Sequence, residues 1–183
     1  MSSSTIFASL PNIITLGRLV LVPVVIAFII QPDWPAAFAI FVVAGLSDAV
    51  DGFLAKRFDL RTELGAYLDP LADKALLMSI YVTLAVVGVL PATLAILVVS
   101  RDVMIMGAVI VSWVLDKPVV IKPLLVSKAN TVGQIVLASA ILGGKAFGVN
   151  FGMWFQLLVY IVAALTLASA GAYFVQWLRH MTD

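Results

Sequence analysis

Asp48 and Asp51 stand three residues apart in one apolar stretch, and Asp69 and Asp73 stand four apart in the next. On a helix those spacings place each pair on one face, with Cβ atoms about 5 to 6 Å apart. A carboxylate at bilayer depth costs roughly 2.5 to 3.5 kcal/mol on insertion scales, so four acids in neighbouring apolar segments call for a compensating cation or a water-filled cavity. Oxygen-only ligands select a hard cation, and magnesium or manganese is favoured over zinc where no His or Cys is at hand. The single histidine, His180, lies far from these segments in the sequence. Two such ions bridged by carboxylates suit displacement at phosphorus, because charge on both the attacking and the leaving oxygen is then offset. Gly52 and Gly65 extend the two acidic faces.

The elements that must position these acids are set by composition. Of 183 residues, 63% are hydrophobic and 11% charged, with a mean hydropathy of +1.14. A soluble domain of this size has too little interior to hide that much apolar surface. The expected fold is therefore all-α, a polytopic membrane protein forming one domain over residues 1–183, with no internal repeat. A formal net charge of +1 makes no case for nucleic acid as a partner, and the lack of cysteine excludes disulfides, zinc thiolates and a thiol nucleophile. Met1 to Leu10 lacks a basic region and a long apolar run, so no cleavable signal sequence is expected and the first spanning segment serves as the uncleaved signal.

About 20 apolar residues span a bilayer, which predicts six helices near 12–31, 35–55, 64–90, 91–116, 125–143 and 154–178. The breaks fall at Gln31 to Pro35, Val89 to Pro91, Asp116 to Pro118 and the glycine-rich stretch Gly143 to Gly152. Ser2 to Leu10 is expected to form a short N-terminal interfacial segment ahead of the first helix. Lys56, Arg57 and Arg61 fall between helices two and three, Lys117 and Lys122 between four and five, and Arg179 after six, whereas Lys145 is alone on the other side. The positive-inside rule then puts both termini in the cytoplasm. Arg18, the four aspartates and Lys128 all come near the cytoplasmic ends of their helices, at one depth.

Asp48-Ala-Val-Asp51-Gly52-Phe-Leu-Ala55-Lys56, then eight residues, then Gly65-Ala-Tyr-Leu-Asp69-Pro-Leu-Ala-Asp73 resembles the signature of the CDP-alcohol phosphotransferases, with seven positions matched at fixed spacing. Pro11-Asn12-Ile-Ile-Thr15-Leu-Gly-Arg18 is similar to the segment that opens the first helix of that family, and the resemblance covers nearly the whole chain. It implies a six-helix core, a homodimer in the membrane and phospholipid biosynthesis. A phosphatidyl group would pass from CDP-diacylglycerol to the hydroxyl of a glycerol-type acceptor, with release of CMP. Two divalent cations, Mg2+ or Mn2+, would be held by Asp48, Asp51, Asp69 and Asp73, and Asp73 would also be the catalytic base. Asn12, Thr15, Arg18, Gly52, Ala55, Lys56, Thr62 and Gly65 would bind the CDP-linked donor. Members of the family carry Arg where this chain has Lys56, which keeps the charge but loses the planar fork that grips a phosphate.

Arg101, Lys128 and Asn130 are the residues expected to bind the acceptor. Ser100-Arg101-Asp102-Val103 and Ser127-Lys128-Ala129-Asn130-Thr131, with Gln134, resemble the members that use phosphatidylglycerol, the cardiolipin synthases of mitochondrial and alphaproteobacterial type. Members that use glycerol 3-phosphate tend to place a second lysine where this chain has Asn130. A phosphate monoester carries close to two charges, so one cation fewer fits a phosphodiester lipid better. The resemblance thus implies a bacterial cytoplasmic membrane, with the active site on the cytoplasmic side. Two readings of another class compete. A cation or proton transporter also holds midplane carboxylates but commonly shows repeats and broken helices, and an intramembrane aspartyl protease needs two carboxylates sharing one proton.

Overall fold

The computed structural model describes residues 3–57, 63–115 and 124–182, with the side chains of 16–48, 50, 74–115 and 124–182. Among the described residues there are six helices and no strand: α1 (Ser3–Ile30), α2 (Trp34–Arg57), α3 (Glu63–Val86), α4 (Ala92–Val114), α5 (Leu125–Phe147) and α6 (Met153–Thr182). α4, α5 and α6 are each long and apolar enough to cross a bilayer, and the side-chain-described parts of α1, α2 and α3 are shorter apolar helices. Val103, Ile110, Trp113, Trp154 and Leu167 are exposed on the outside of the bundle. A helix that is apolar outside as well as inside belongs in lipid, and the protein is an all-α membrane protein.

Local chemistry explains where the boundaries differ from the apolar runs. The stretch expected to precede the first helix is itself helical and continuous with it. At 28 residues, α1 is about 42 Å long against roughly 30 Å of hydrocarbon. α3 stops at Val86, short of residue 90, because Gly88 turns left-handed at φ 74° and the N–H groups of Val89 and Leu90 fold back to the Leu84 carbonyl. Pro91 then opens α4. α5 runs through Gly143 and Gly144 and ends at Gly148, whose φ of 67° is the left-handed C-cap that glycine adopts without strain. A Cβ on Gly143 would come within 3.3 Å of the Phe38 ring on α2, so the small residue is what lets α5 pack closely on α2 here.

The helices close into a ring. α1 packs on α2 and α3, α2 on α5, α5 on α6, α6 on α4 and α4 on α3, while α3 and α5 also touch across the middle. Fully buried Ile80, Tyr81 and Leu84 of α3 meet Leu137, Ala138 and Leu142 of α5 within one apolar core. The Tyr81 hydroxyl donates to the Gln134 carbonyl at 3.0 Å, tying the two central helices together. Short connections make neighbours in sequence antiparallel, so one end of the bundle gathers the C-terminal ends of α2 and α4 with the N-terminal ends of α3 and α5. That is the end on which the expected site falls.

Candidate active site

Five of the six helices line one cavity of about 250 Å³ with polar side chains. α1 gives Arg18, α2 gives Asp48, α3 gives Lys74, α4 gives Arg101 and Asp102, and α5 gives Thr131 and Gln134. On α2 the wall is the stripe Phe41, Ala44, Gly45 and Asp48, spaced three and four apart as one helix face must be. Arg18, Asp48, Lys74, Arg101, Asp102 and Gln134 each lie two turns or more from either end of their helix. Charge so far from the helix ends needs partners, and the structure supplies them.

Arg18, 1% exposed, donates from Nη1 to Oδ1 of Asp48 at 2.9 Å, while 45% of the Asp48 side chain stays open. The buried guanidinium thus holds one oxygen of a carboxylate that faces the cavity. Across the cavity Arg101 is held from several directions. It donates from Nη1 to Asp102, from Nη2 to Ser127 of α5, and from Nε and Nη2 to Ser169 of α6 at 3.1 and 2.7 Å. Its guanidinium carbon also lies 5.6 Å from the centre of the Tyr173 ring, a cation–π contact. A guanidinium has five N–H groups, and these bonds engage all but one on Nη1. Lys74 Nζ reaches Asp102 Oδ1 at 3.5 Å, the long edge of an ion pair.

The expected site residues fall into three groups. Arg18, Asp48 and Arg101 come together around the cavity. Lys128 and Asn130 are absent from its lining: Lys128 is exposed, and Asn130 is fully buried with its Oδ1 accepting from the Thr166 hydroxyl at 2.8 Å. Two residues apart on a helix is about 200° of rotation, so these two cannot serve the same wall. The remaining expectations fall outside the described side chains. Asp51, Gly52, Ala55 and Lys56 are on α2, Gly65, Asp69 and Asp73 on α3, and Asn12 and Thr15 on α1, whereas Thr62 is outside the described residues altogether. Accordingly no cluster of three or more metal-ligating side chains occurs among the described residues. What is described fits a hard cation, since Asp48 presents a half-open carboxylate oxygen to the cavity and no imidazole or thiolate is among its described lining residues.

Ser169 and Tyr173 were not anticipated. They continue a buried stripe on α6 of Val162, Thr166, Ser169 and Tyr173, and the three- and four-residue spacing of its polar members Thr166, Ser169 and Tyr173 within a largely apolar stretch is the signal that could have found them.

The model of the family described as CDP-alcohol phosphatidyltransferase matches residues 8–169. The chain belongs to that family. It is 34% identical to human cardiolipin synthase (CMP-forming) over 91% of its own length and 60% of the human protein. It is 32% identical to rice chloroplastic CDP-diacylglycerol–glycerol-3-phosphate 3-phosphatidyltransferase 1 over 93% of its length and 57% of the rice protein. Bacillus subtilis CDP-diacylglycerol–glycerol-3-phosphate 3-phosphatidyltransferase is 29% identical, with 91% of this chain and 93% of that protein covered. The chain therefore spans about three fifths of the human and rice proteins and nearly all of the bacterial one.

Proposed function

We propose that this protein is a phosphatidyltransferase of phospholipid biosynthesis that moves a phosphatidyl group from CDP-diacylglycerol to a hydroxyl of phosphatidylglycerol, forming cardiolipin and CMP. The observation that carries the reading is the single cavity into which five helices send charged or polar groups two turns or more from their ends, with Asp48 of the aspartate signature on its wall. Asp48, Asp51, Asp69 and Asp73 would hold two divalent cations, Mg2+ or Mn2+, which when bound offset the charge of the donor pyrophosphate. Arg18 fixes the Asp48 carboxylate, and Arg18 and Lys56 supply the positive charge of the site that binds the CDP-linked donor. The Asp73 carboxylate takes the proton of the acceptor hydroxyl, that oxygen bonds to the lipid-side phosphorus, and the phosphorus–oxygen bond to CMP breaks. Asn12, Thr15, Gly52, Ala55, Thr62 and Gly65 complete the donor site, and Lys128 guides the anionic acceptor.

The choice of a lipid acceptor has a charge argument behind it. Arg101 has one N–H left for a ligand, and Lys74 leans on Asp102. Among the described residues of the cavity, a monoester with close to two charges would meet few free donors, whereas a singly charged phosphodiester asks for less. The reading places the protein as a homodimer in a bacterial cytoplasmic membrane, both termini and the site facing the cytoplasm. The test is purified protein with labelled CDP-diacylglycerol and manganese, offered phosphatidylglycerol, glycerol 3-phosphate, serine or inositol phosphate in separate reactions. Labelled cardiolipin is expected. Labelled phosphatidylglycerol phosphate from glycerol 3-phosphate as the better product would reject the acceptor and keep the chemistry, and ion flux in liposomes without any transfer would reject the class.

A further inference from the structure

Gln134 is 3% exposed, lines the cavity, and has a side-chain Nε2 without a hydrogen-bond partner. A buried amide left unpaired is costly, and native structures keep few of them. Its own backbone is fixed, because the carbonyl of Gln134 accepts from Tyr81 on α3. Asn130, one turn earlier, also has an unpaired Nδ2, but it does not line the cavity and its Oδ1 is locked by Thr166. Of these two amides, Gln134 is the one that lines the cavity, where a small turn of its carboxamide would present it to an occupant. Thr131, three residues before it, lines the same wall, so α5 offers the cavity uncharged polar groups while α1, α3 and α4 supply its cations.

We propose that Gln134 is a specificity-determining residue whose carboxamide binds the non-reacting secondary hydroxyl of the acceptor's glycerol head. A carboxamide both donates and accepts, as a hydroxyl does, and a neutral pair of this kind suits the one part of a glycerol-type acceptor that is neither charged nor attacked. Both phosphatidylglycerol and glycerol 3-phosphate present that hydroxyl, so the inference rests on the phosphatidyltransferase reading but not on which acceptor is used. A site built to bond a substrate hydroxyl rejects the analogue that lacks it far more strongly than an apolar pocket does.

The experiment pairs two enzymes with two acceptors. Wild type and Gln134→Leu are assayed with phosphatidylglycerol and with the analogue whose head is 1,3-propanediol, recording kcat and KM for acceptor and for CDP-diacylglycerol. Wild type is expected to prefer phosphatidylglycerol by about tenfold or more in kcat/KM, the worth of one hydrogen bond in a buried site. Gln134→Leu is expected to treat the two acceptors within about twofold, with KM for CDP-diacylglycerol unchanged. Gln134→Met, of similar length and equally without hydrogen-bonding groups, must give the same loss of discrimination, which guards against a folding defect peculiar to leucine. Discrimination kept in both variants overturns the assignment while leaving the transferase reading in place. If wild type transfers to no glycerol-type acceptor, the transferase reading itself fails and this assignment falls with it.

Discussion

Replacing Arg101 with methionine tests whether this residue binds substrate or holds the bundle. Methionine matches much of the length of arginine and removes the charge. The change deletes four hydrogen bonds, to Asp102, Ser127 and twice to Ser169, and the contact over Tyr173. Asp102, 5% exposed, is left with Lys74 at 3.5 Å as its remaining ion pair. Breaking a buried pair from one side costs about 3 to 5 kcal/mol, largely because the other charge stays buried. In a chain of this size each kcal/mol lowers the melting midpoint by about 2 to 4 °C, so a fall of about 6 to 20 °C is expected. Tryptophan fluorescence melting of the purified protein in detergent reads it directly. The double variant Arg101→Met with Asp102→Leu should recover part of that loss, because the stranded carboxylate is gone. A midpoint within about 2 °C of wild type, together with a more than tenfold rise in acceptor KM, would refute the argument and make Arg101 a ligand contact.

Further outcomes follow from the aspartates and from α5. Asp69→Asn should abolish transfer at normal protein level, because an amide lacks the charge that holds a divalent cation; activity above a few per cent of wild type at saturating manganese would sink the ligand assignment. Asp73→Asn should lose turnover and still bind CDP-diacylglycerol, as expected of a base that acts on the acceptor; equal loss of donor binding, measured by equilibrium dialysis, would make it a ligand instead. Asn130→Lys, which from sequence alone would turn acceptor preference towards glycerol 3-phosphate, should instead lower the melting midpoint sharply, because an ammonium would take the place of a fully buried amide bonded to Thr166. A stable Asn130→Lys protein that prefers glycerol 3-phosphate would show that the side chain reaches the cavity after all.

The helices were legible because apolar length and Gly/Pro punctuation are local signals. All six appear; α3 ends early at the left-handed turn of Gly88, and α5 runs on through Gly143. The aspartate signature was legible for the same reason, since each pair lies within one helix and three- or four-residue spacing is a statement about one face. What the spacing could not show is who partners whom across the bundle. Arg101 and Ser169 are 68 residues apart in sequence and bonded in space, and nothing in either segment announces the other. Lys128 and Asn130 share a motif in sequence, yet two residues of helix set them about 200° apart, one exposed and one buried.

α6 shows how the site is held without being lined. It contributes no side chain to the cavity wall, and its buried residues are Val162, Thr166, Ser169 and Tyr173. Each polar member of that stripe bonds to the helices or helix start beside it. Thr166 donates to Asn130 of α5, Ser169 accepts from Arg101 of α4, and the Tyr173 hydroxyl accepts from the Leu124 N–H that precedes α5 while its ring lies under Arg101. Higher up, Trp177 Nε1 donates to Ser112 of α4 at 2.9 Å. In lipid, helices gain little from hydrophobic burial against one another, and packing with interhelical hydrogen bonds takes over. The stripe on α6 therefore sets the spacing of α4 and α5, and through Arg101 it fixes the distance between the cationic wall of the cavity and the neutral wall that carries Thr131 and Gln134.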